Sequence, residues 1–167
     1  MYDKITEKDV KRMQDEIEYR KLVVRKEAII DVQEARAHGD LSENFEYKAA
    51  KQYKNQNESR IRYLERMIKT AKIISEDSSE DEVGLNDLVT FYIPEDEEEE
   101  TFKIVTTVRA NATKGRISID SPLGKALLHH KVGDKVTVKV NDTYSYDVII
   151  KKIEKLEDDG TDELCKY

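Results

Sequence analysis

The sequence contains few of the residues that interrupt or cross-link a chain. Among its 167 residues are two prolines, six glycines and a single cysteine, Cys165, which has no partner for an internal disulfide. No apolar run approaches the roughly 20 residues needed to span a bilayer. The charged N-terminus also lacks the apolar segment of a secretory signal. These absences predict a cytoplasmic protein in a reducing compartment.

Charge, in contrast, is abundant and unevenly distributed. Charged residues make up 39% of the chain and hydrophobic residues 38%, a ratio that favours an elongated shape over a sphere. Residues 1–75 carry 17 basic and 14 acidic side chains, whereas residues 76–167 carry 12 and 22. The first part could lie near nucleic acid, which would repel the second. A basic excess as small as this is more often found on an ordinary solvated helical surface. It does not by itself indicate nucleic-acid binding.

The first 75 residues have the periodicity of two long helices. Neither proline nor glycine occurs before Gly39, and apolar residues recur at intervals of three and four on both sides of it. Thr6 and Asp9 predict the cap of a helix over residues 7–37, roughly 45 Å long. A second helix is predicted to end near Ile74. The two must run antiparallel, so residues 1–75 are predicted to form a coiled-coil hairpin. Polar residues near its seam are Arg20, Asn57 and Arg60.

The second half changes to alternating periodicity after an acidic linker at residues 76–84. Strands are predicted over residues 88–93, 102–108, 116–119, 136–140 and 144–153, with one short helix over residues 122–130. The acidic run 95–100 is predicted to be a solvated hairpin loop, and residues 157–167 a polar, frayed tail. The sequence therefore predicts an α+β protein, in which the helical hairpin precedes a small antiparallel β-sheet domain at residues 85–156.

The turn between the helices contains acidic residues, and at this far end of the hairpin there is no hydrophobic core for them to support. In one interpretation Asp40 is the N-cap of the second helix and forms a capping box with Glu43, while Ser42 is a rival cap. In the other, the two carboxylates converge on one divalent cation such as Mg²⁺, with Glu46 as a third acid nearby. These residues offer too few ligands to hold a metal tightly. Another molecule would have to complete the site.

The same turn resembles the tip signature of the Gre transcript-cleavage factors, and of their GreA-like members in particular. The similarity covers residues 34–47 (EARAHGDLSENFEY) and resumes at residues 115–118 (GRIS), 121–127 (SPLGKAL) and 132–134 (VGD). Both halves are thus matched, in the family's order and spacing. The resemblance implies an FKBP-like fold for the C-terminal domain. That fold taken alone would suggest prolyl isomerisation as an alternative activity.

The resemblance also implies a function and its partners. It implies a factor that binds bacterial RNA polymerase, inserts its hairpin through the secondary channel and stimulates Mg²⁺-dependent cleavage of backtracked nascent RNA. Asp40 and Glu43 match the two acids that help to hold a catalytic Mg²⁺ and position a water, while polymerase completes the site. Such a factor is not an enzyme alone and binds no cofactor of its own. Its expected partners are polymerase and the RNA 3′ end; we expect a monomer without membrane contact.

Other residues near the turn are assigned supporting roles. Phe45 stands where the family usually has alanine, and it either packs on Leu41 or contacts RNA or polymerase. Tyr47 and Tyr53 could stack on bases, although packing within the hairpin is the commoner role. His38 could take part in acid–base chemistry, although a position at a helix C-terminus is the simpler interpretation. The expected tip support is Leu41, Ser42, Asn44, Phe45, Glu46 and Tyr47.

Four basic residues near the tip could face the RNA. The basic side chains could attract phosphates, or belong to an ordinary helix surface; they are Arg36, Lys48, Lys51 and Lys54.

Two other functions stay open. A Gre-like factor that occupies the same channel and inhibits polymerase would share the hairpin, and Phe45 and the acidic second half leave that open. A free-standing binding or isomerase module would use the hairpin as an arm.

Overall fold

A computed structural model describes residues 3–39 and 43–166. The described residues divide into two compact units, one of residues 10–71 and the other of residues 3–9 together with residues 72–166. The hairpin unit is therefore shorter than the predicted range 1–75. The reason is local pairing: strand β1 (Lys4–Ile5) lies parallel to strand β2 (Lys72–Ile73), which ties the two ends of the hairpin sequence to the second unit. No helix of the described residues is long and apolar enough to cross a membrane.

The hairpin unit is built from two helical arms. The first arm comprises α1 (Glu7–Tyr19), a π-helical segment (Arg20–Val24) and α2 (Arg25–Arg36); the second is α3 (Phe45–Thr70). The predicted long helices are confirmed, but α3 ends before Ile74 because the chain there enters β2. The sequence did not predict the π-helical turn, because the segment contains no glycine or proline that would mark an interruption of the α-helix. The side chains buried along the arms are Met13, Val24, Ala28, Ala35, Asn57, Arg60, Ile61 and Leu64.

Polar residues predicted near the seam form a partly buried network around Glu16. The Glu16 carboxylate accepts hydrogen bonds from Arg20 Nε and Arg60 Nε, each at 2.8 Å. Arg20 Nη1 donates to Asn57 Oδ1 at 3.0 Å, and Asn57 Nδ2 returns a bond to the Arg20 carbonyl oxygen at 3.2 Å. Burial by itself raises the pKa of Glu16, but the two arginines outweigh it and hold that pKa below its usual range. The seam is therefore joined by charge-assisted hydrogen bonds as well as apolar packing.

Besides the β1–β2 pair, the described part of the second unit contains a five-stranded sheet and one short α-helix. Its strands are β3 (Leu88–Ile93), β4 (Glu98–Val105), β5 (Arg116–Ser118), β6 (Lys135–Lys139) and β7 (Ser145–Glu154), in the order β5-β4-β3-β7-β6. All neighbours pair antiparallel except β4 and β5, which are parallel. The predicted α+β class is confirmed. Helix α4 (Pro122–Leu127) begins at a Ser121 cap, whose Oγ accepts from Gly124 N at 3.1 Å, and it ends before residue 130.

Two predictions about acidic segments need correction: residues 95–97 form the exposed turn between β3 and β4 as predicted, but the rest of the acidic run does not. Glu98, Glu99 and Glu100 are not loop residues: they lie in β4, paired with Ile93, Tyr92 and Phe91. Successive strand residues point to opposite faces, but residues 98–101 are all exposed, so this end of β4 carries the acidic run without burying charge. The tail beyond residue 157 is not frayed either, because two of its aspartates are buried beside Arg109, as described next.

A buried ion cluster centred on Arg109 joins distant parts of the sequence. The guanidinium is 0% exposed; its Nε lies 2.8 Å from Asp9 Oδ1. Its Nη1 donates to Asn86 Oδ1 at 2.9 Å and to Asp162 Oδ2 at 3.1 Å, and lies 3.8 Å from Asp158 Oδ2. Residues 3–9, the sheet and the C-terminal tail thus share one cation.

Asp9 has a second role at the start of α1. Its Oδ2 accepts from Thr6 N at 3.1 Å, while Asp9 N donates to Thr6 Oγ1 at 3.1 Å. This reciprocal pair is the predicted cap. Thr106 Oγ1 donates to the same Asp9 oxygen at 2.7 Å. The cap of α1 therefore includes one of the carboxylates that bind Arg109.

Candidate functional site at the hairpin turn

Asn44 organises the described part of the turn. Its Oδ1 accepts from Tyr47 N at 3.0 Å, which makes it the N-cap of α3, and its Nδ2 donates to the Ala35 carbonyl oxygen at 2.6 Å. The predicted caps, Asp40 and Ser42, are therefore wrong, because α3 begins at Phe45. Asparagine caps a helix as well as aspartate or serine does, so the sequence offered several adjacent candidates. Asp40, Leu41 and Ser42 themselves lie outside the described residues.

Gly39 lies shortly after the end of α2. The arm ends with backbone bonds from Ala37 N to the Gln33 carbonyl oxygen at 3.3 Å and from His38 N to the Ala35 carbonyl oxygen at 3.2 Å. Gly39 then adopts a φ of +143°, which residues with a Cβ rarely adopt. The chain thereby leaves the helix sharply, directly before the acidic residues.

The two described acids of the turn differ in their surroundings. Glu43 is exposed and directly precedes the Asn44 cap. Glu46 lies in the first turn of α3, where its Oε2 is 3.0 Å from His38 Nδ1. His38 therefore faces a carboxylate across the turn. This leaves Glu43 as the described acid best placed to meet another molecule.

These acids line an open pocket at the end of the hairpin. Its volume is about 480 Å³, and its lining residues are His38, Gly39, Glu43, Asn44, Phe45 and Glu46. Exposed carboxylate oxygens are the ligands that Mg²⁺ prefers, and Mg²⁺ commonly uses one or two of them with water or phosphate in the other positions. Glu43 fits that chemistry. Within residues 3–39 and 43–166, no group of three His, Cys, Asp or Glu side chains could hold a metal ion.

Two aromatic residues beside the pocket contact basic side chains. Arg36 lies over the Tyr47 ring at 5.5 Å, and its hydrogen bond holds the pKa of the Tyr47 phenol below its usual range. Lys48 Nζ lies 5.6 Å from the centre of the Phe45 ring. Of the four basic residues predicted to face RNA, Arg36 and Lys48 thus contact rings of the turn, while Lys51 is exposed and Lys54 half-buried. Tyr53 is 52% exposed and does not fill the seam.

Sequence reasoning missed the cross-turn contacts of Asn44 and His38. The only signal for Asn44 was its helix-capping preference, which Asp40 and Ser42 shared. His38 and Glu46 are eight residues apart, so no helical spacing connects them. Both contacts depend on the path of the turn, which periodicity does not specify.

Both halves of the chain match models of known protein families. Residues 4–73 match the family described as transcription elongation factor, N-terminal, and residues 77–155 match transcription elongation factor, GreA/GreB, C-term. The chain therefore belongs to the GreA/GreB family of transcription elongation factors.

Its relatives identify the GreA-like branch. The chain is 47% identical over 136 residues to transcription elongation factor GreA of Geobacillus kaustophilus, covering 81% of this chain and 86% of that one. It is 43% identical over 135 residues to GreA of Bacillus subtilis, with the same coverage. It is 40% identical over 152 residues to GreA of Streptococcus pneumoniae, covering 90% and 94%. Among solved structures, Gfh1 (GreA factor homolog 1) of Thermus thermophilus is 30% identical, with coverage of 93% and 100% and a TM-score of 0.42.

Proposed function

We propose that this protein binds bacterial RNA polymerase, inserts its hairpin turn through the secondary channel and stimulates Mg²⁺-dependent cleavage of backtracked nascent RNA. Membership of the GreA/GreB family supports the polymerase partner. The observation that carries the proposal is the exposed Glu43 carboxylate, which precedes a helix start fixed by Asn44. We place the activity in the cytoplasm, where bacterial transcription takes place, and propose that the protein acts as a monomer.

Asp40 and Glu43 would hold Mg²⁺ together with groups of the polymerase. When bound, the ion would stabilise the attacking and leaving oxygens of an in-line displacement at a phosphate. Glu43 would orient the attacking water from its place in the turn. Asn44 would keep Glu43 in position, because its hydrogen bond to Ala35 joins the ends of the two arms. The protein would thus complete the active site of polymerase and would not be an enzyme by itself.

The basic residues behind the turn would guide the displaced RNA. Lys51 is exposed and Lys54 half-buried along α3, within about three turns of Asn44. Their ammonium groups can contact phosphates without reading sequence. Arg36 and Lys48 add positive charge beside the two rings. Rising salt should therefore weaken the action of the factor on RNA.

The test is RNA cleavage in a stalled, backtracked bacterial transcription complex with Mg²⁺. The native chain should shorten the RNA rapidly, and Asp40→Ala and Glu43→Ala should each lose this activity while still binding polymerase. Glu27→Ala is the matched control, since it removes one exposed acid from α2 away from the turn. Native cleavage that survives both tip substitutions would overturn the assignment of the acids.

The same experiment separates the other two functions. Polymerase binding and slowed nucleotide addition without RNA shortening would identify a secondary-channel inhibitor. The exposed Phe45 beside Glu43 is the feature that keeps this second candidate open, because a bulky group there could block the channel. Absence of any polymerase binding in a pull-down would instead favour a free-standing binding or isomerase module.

A further inference from the structure

Phe45 is the most exposed of the large hydrophobic side chains in the described part of the chain. Its exposed fraction is 80%, compared with 58% for Tyr19 and 52% for Tyr53. The residue is the first of α3, directly after the Asn44 cap. Helix formation at this position requires no aromatic ring, and the described residues at the end of the hairpin do not bury it.

The neighbours of Phe45 leave most of its ring open. Lys48, three residues later in α3, lies 5.6 Å from the ring centre, a spacing that brings side chains to the same face of a helix. Glu43, Asn44 and Glu46 line the same open pocket as the ring. Among the described residues that line this pocket, Phe45 therefore has the only large apolar side chain, and its nearest neighbours there are charged or polar.

We infer that Phe45 is a stacking surface for a nucleobase of the backtracked RNA. This inference rests on the proposed function. An apolar protein surface would need a continuous apolar patch opposite it, and the described neighbours of the ring, Glu43, Asn44 and Lys48, do not provide one. A nucleobase suits these surroundings because its face stacks on an aromatic ring while its polar edge remains in water. The surroundings thus favour RNA over protein as the contact.

The position of Phe45 gives this contact a defined place in the reaction. Phe45 is two residues from Glu43, one of the acids proposed to hold Mg²⁺ at the phosphate to be cut. A base stacked on the ring would hold its nucleotide beside that phosphate, and Lys48 could contact a neighbouring phosphate. Phe45 would then act as a positioning residue. It would make cleavage depend on the base, because purines offer a larger stacking face than pyrimidines.

The inference can be tested by fluorescence, separately from cleavage. Backtracked complexes are prepared with 2-aminopurine at each of the last three RNA positions, and with Ca²⁺ replacing Mg²⁺ to prevent shortening. Native protein should quench the fluorescence at one position. Phe45→Ala and Phe45→Leu should lose that quenching, or require ~5- to 100-fold more protein, the range expected for one lost base–aromatic stack. Phe45→Trp should retain it, since its ring can still stack.

The controls distinguish RNA contact from protein contact and from misfolding. Circular dichroism should be unchanged in all variants, because the substituted side chain is exposed. Affinity for polymerase without RNA should also be unchanged. If Phe45→Ala weakens that affinity as much as it weakens quenching, the ring contacts protein and the inference is wrong. Native-like quenching by both Phe45→Ala and Phe45→Leu, or no quenching by bound native protein, would overturn it as well.

Parallel cleavage assays with Mg²⁺ keep this inference distinct from the proposed function. Quenching without cleavage by native protein would refute the proposed cleavage activity but support the stacking role. Cleavage by native protein with identical rates in Phe45→Ala, for purine and pyrimidine alike, would refute the stacking role alone. If native protein does not bind polymerase, both fail.

Discussion

The side chain of Asn44 donates a hydrogen bond to the carbonyl oxygen of Ala35, and this 2.6 Å contact joins the start of α3 to the end of α2. The same side chain caps α3 through Tyr47 N. A single amide group therefore satisfies backbone atoms on both arms, one residue away from Glu43.

Substitution of Asn44 should loosen the turn. Asn44→Ala should cost about 1–2 kcal/mol from loss of the cap, and it also leaves the Ala35 carbonyl without this donor. Hydrogen exchange of the amides of residues 45–48 should become faster, and RNA cleavage should fall while polymerase binding is retained. Asn44→Asp is the informative comparison, since it can cap α3 but cannot donate to Ala35. Equal cleavage by both variants and the native chain would contradict a positioning role.

Replacement of Arg109 should destabilise the second unit strongly. Arg109→Met leaves three aspartates, all of them buried, without their shared cation, and losses of about 3–5 kcal/mol are typical when one partner of a buried ion pair is removed. The measurement is the free energy of unfolding in urea. Arg62→Met, which removes an exposed arginine of α3, is the control and should change it by less than ~0.5 kcal/mol.

Two neighbouring aspartates test whether the C-terminal tail is a folded part of the protein. Asp162→Ala removes a buried carboxylate that accepts from Lys103 Nζ at 2.9 Å and from Arg109 Nη1 at 3.1 Å, and should cost about 2–3 kcal/mol. Asp159→Ala removes an exposed carboxylate and should have little effect. Equal urea midpoints for the two variants would indicate that the tail contributes nothing to stability.

Acid should weaken the hairpin through Glu16. The folded-state pKa of this group is below its unfolded value, so its stabilising contribution is complete above the unfolded pKa, about 4.3, and is lost as the pH falls through the lower folded pKa. The urea midpoint of unfolding, monitored by circular dichroism, should therefore decrease as the pH is lowered from 6 to 3. The fall should be smaller in Glu16→Gln, whereas Glu27→Gln, at an exposed site of α2, should follow the native chain.

Local chemistry allowed some elements to be predicted and left others open. The Thr6–Asp9 cap could be predicted because both partners lie within one helical turn. The cap of α3 could not, because Asp40, Ser42 and Asn44 have similar capping preferences and the path of the turn decides among them. The acids of residues 98–100 were predicted to be loop because charge usually marks solvent, but an exposed strand satisfies the same requirement.

Contacts between distant residues were beyond sequence reasoning. Asp158 and Asp162 belong to a polar segment that has every local feature of a loose tail. Their burial depends on Arg109, and nothing in the spacing of these residues indicates the contact. Asp40 and Glu43 were identified because both belong to one sequence motif. Such a motif indicates a candidate site but does not define its geometry.

The Arg109 cluster also sets an order of events during synthesis. Residues 10–71 are continuous, so the hairpin arms can meet as soon as α3 has left the ribosome. Asp9 emerges before them, yet its cation Arg109 follows much later, and Asp158 and Asp162 follow later still. The second unit therefore consists of segments on both sides of the hairpin, and its Arg109 cluster can be completed only after residues 10–71 have been translated. A nascent chain paused between the two stages would expose a finished hairpin turn while Asp9 still lacked its partner.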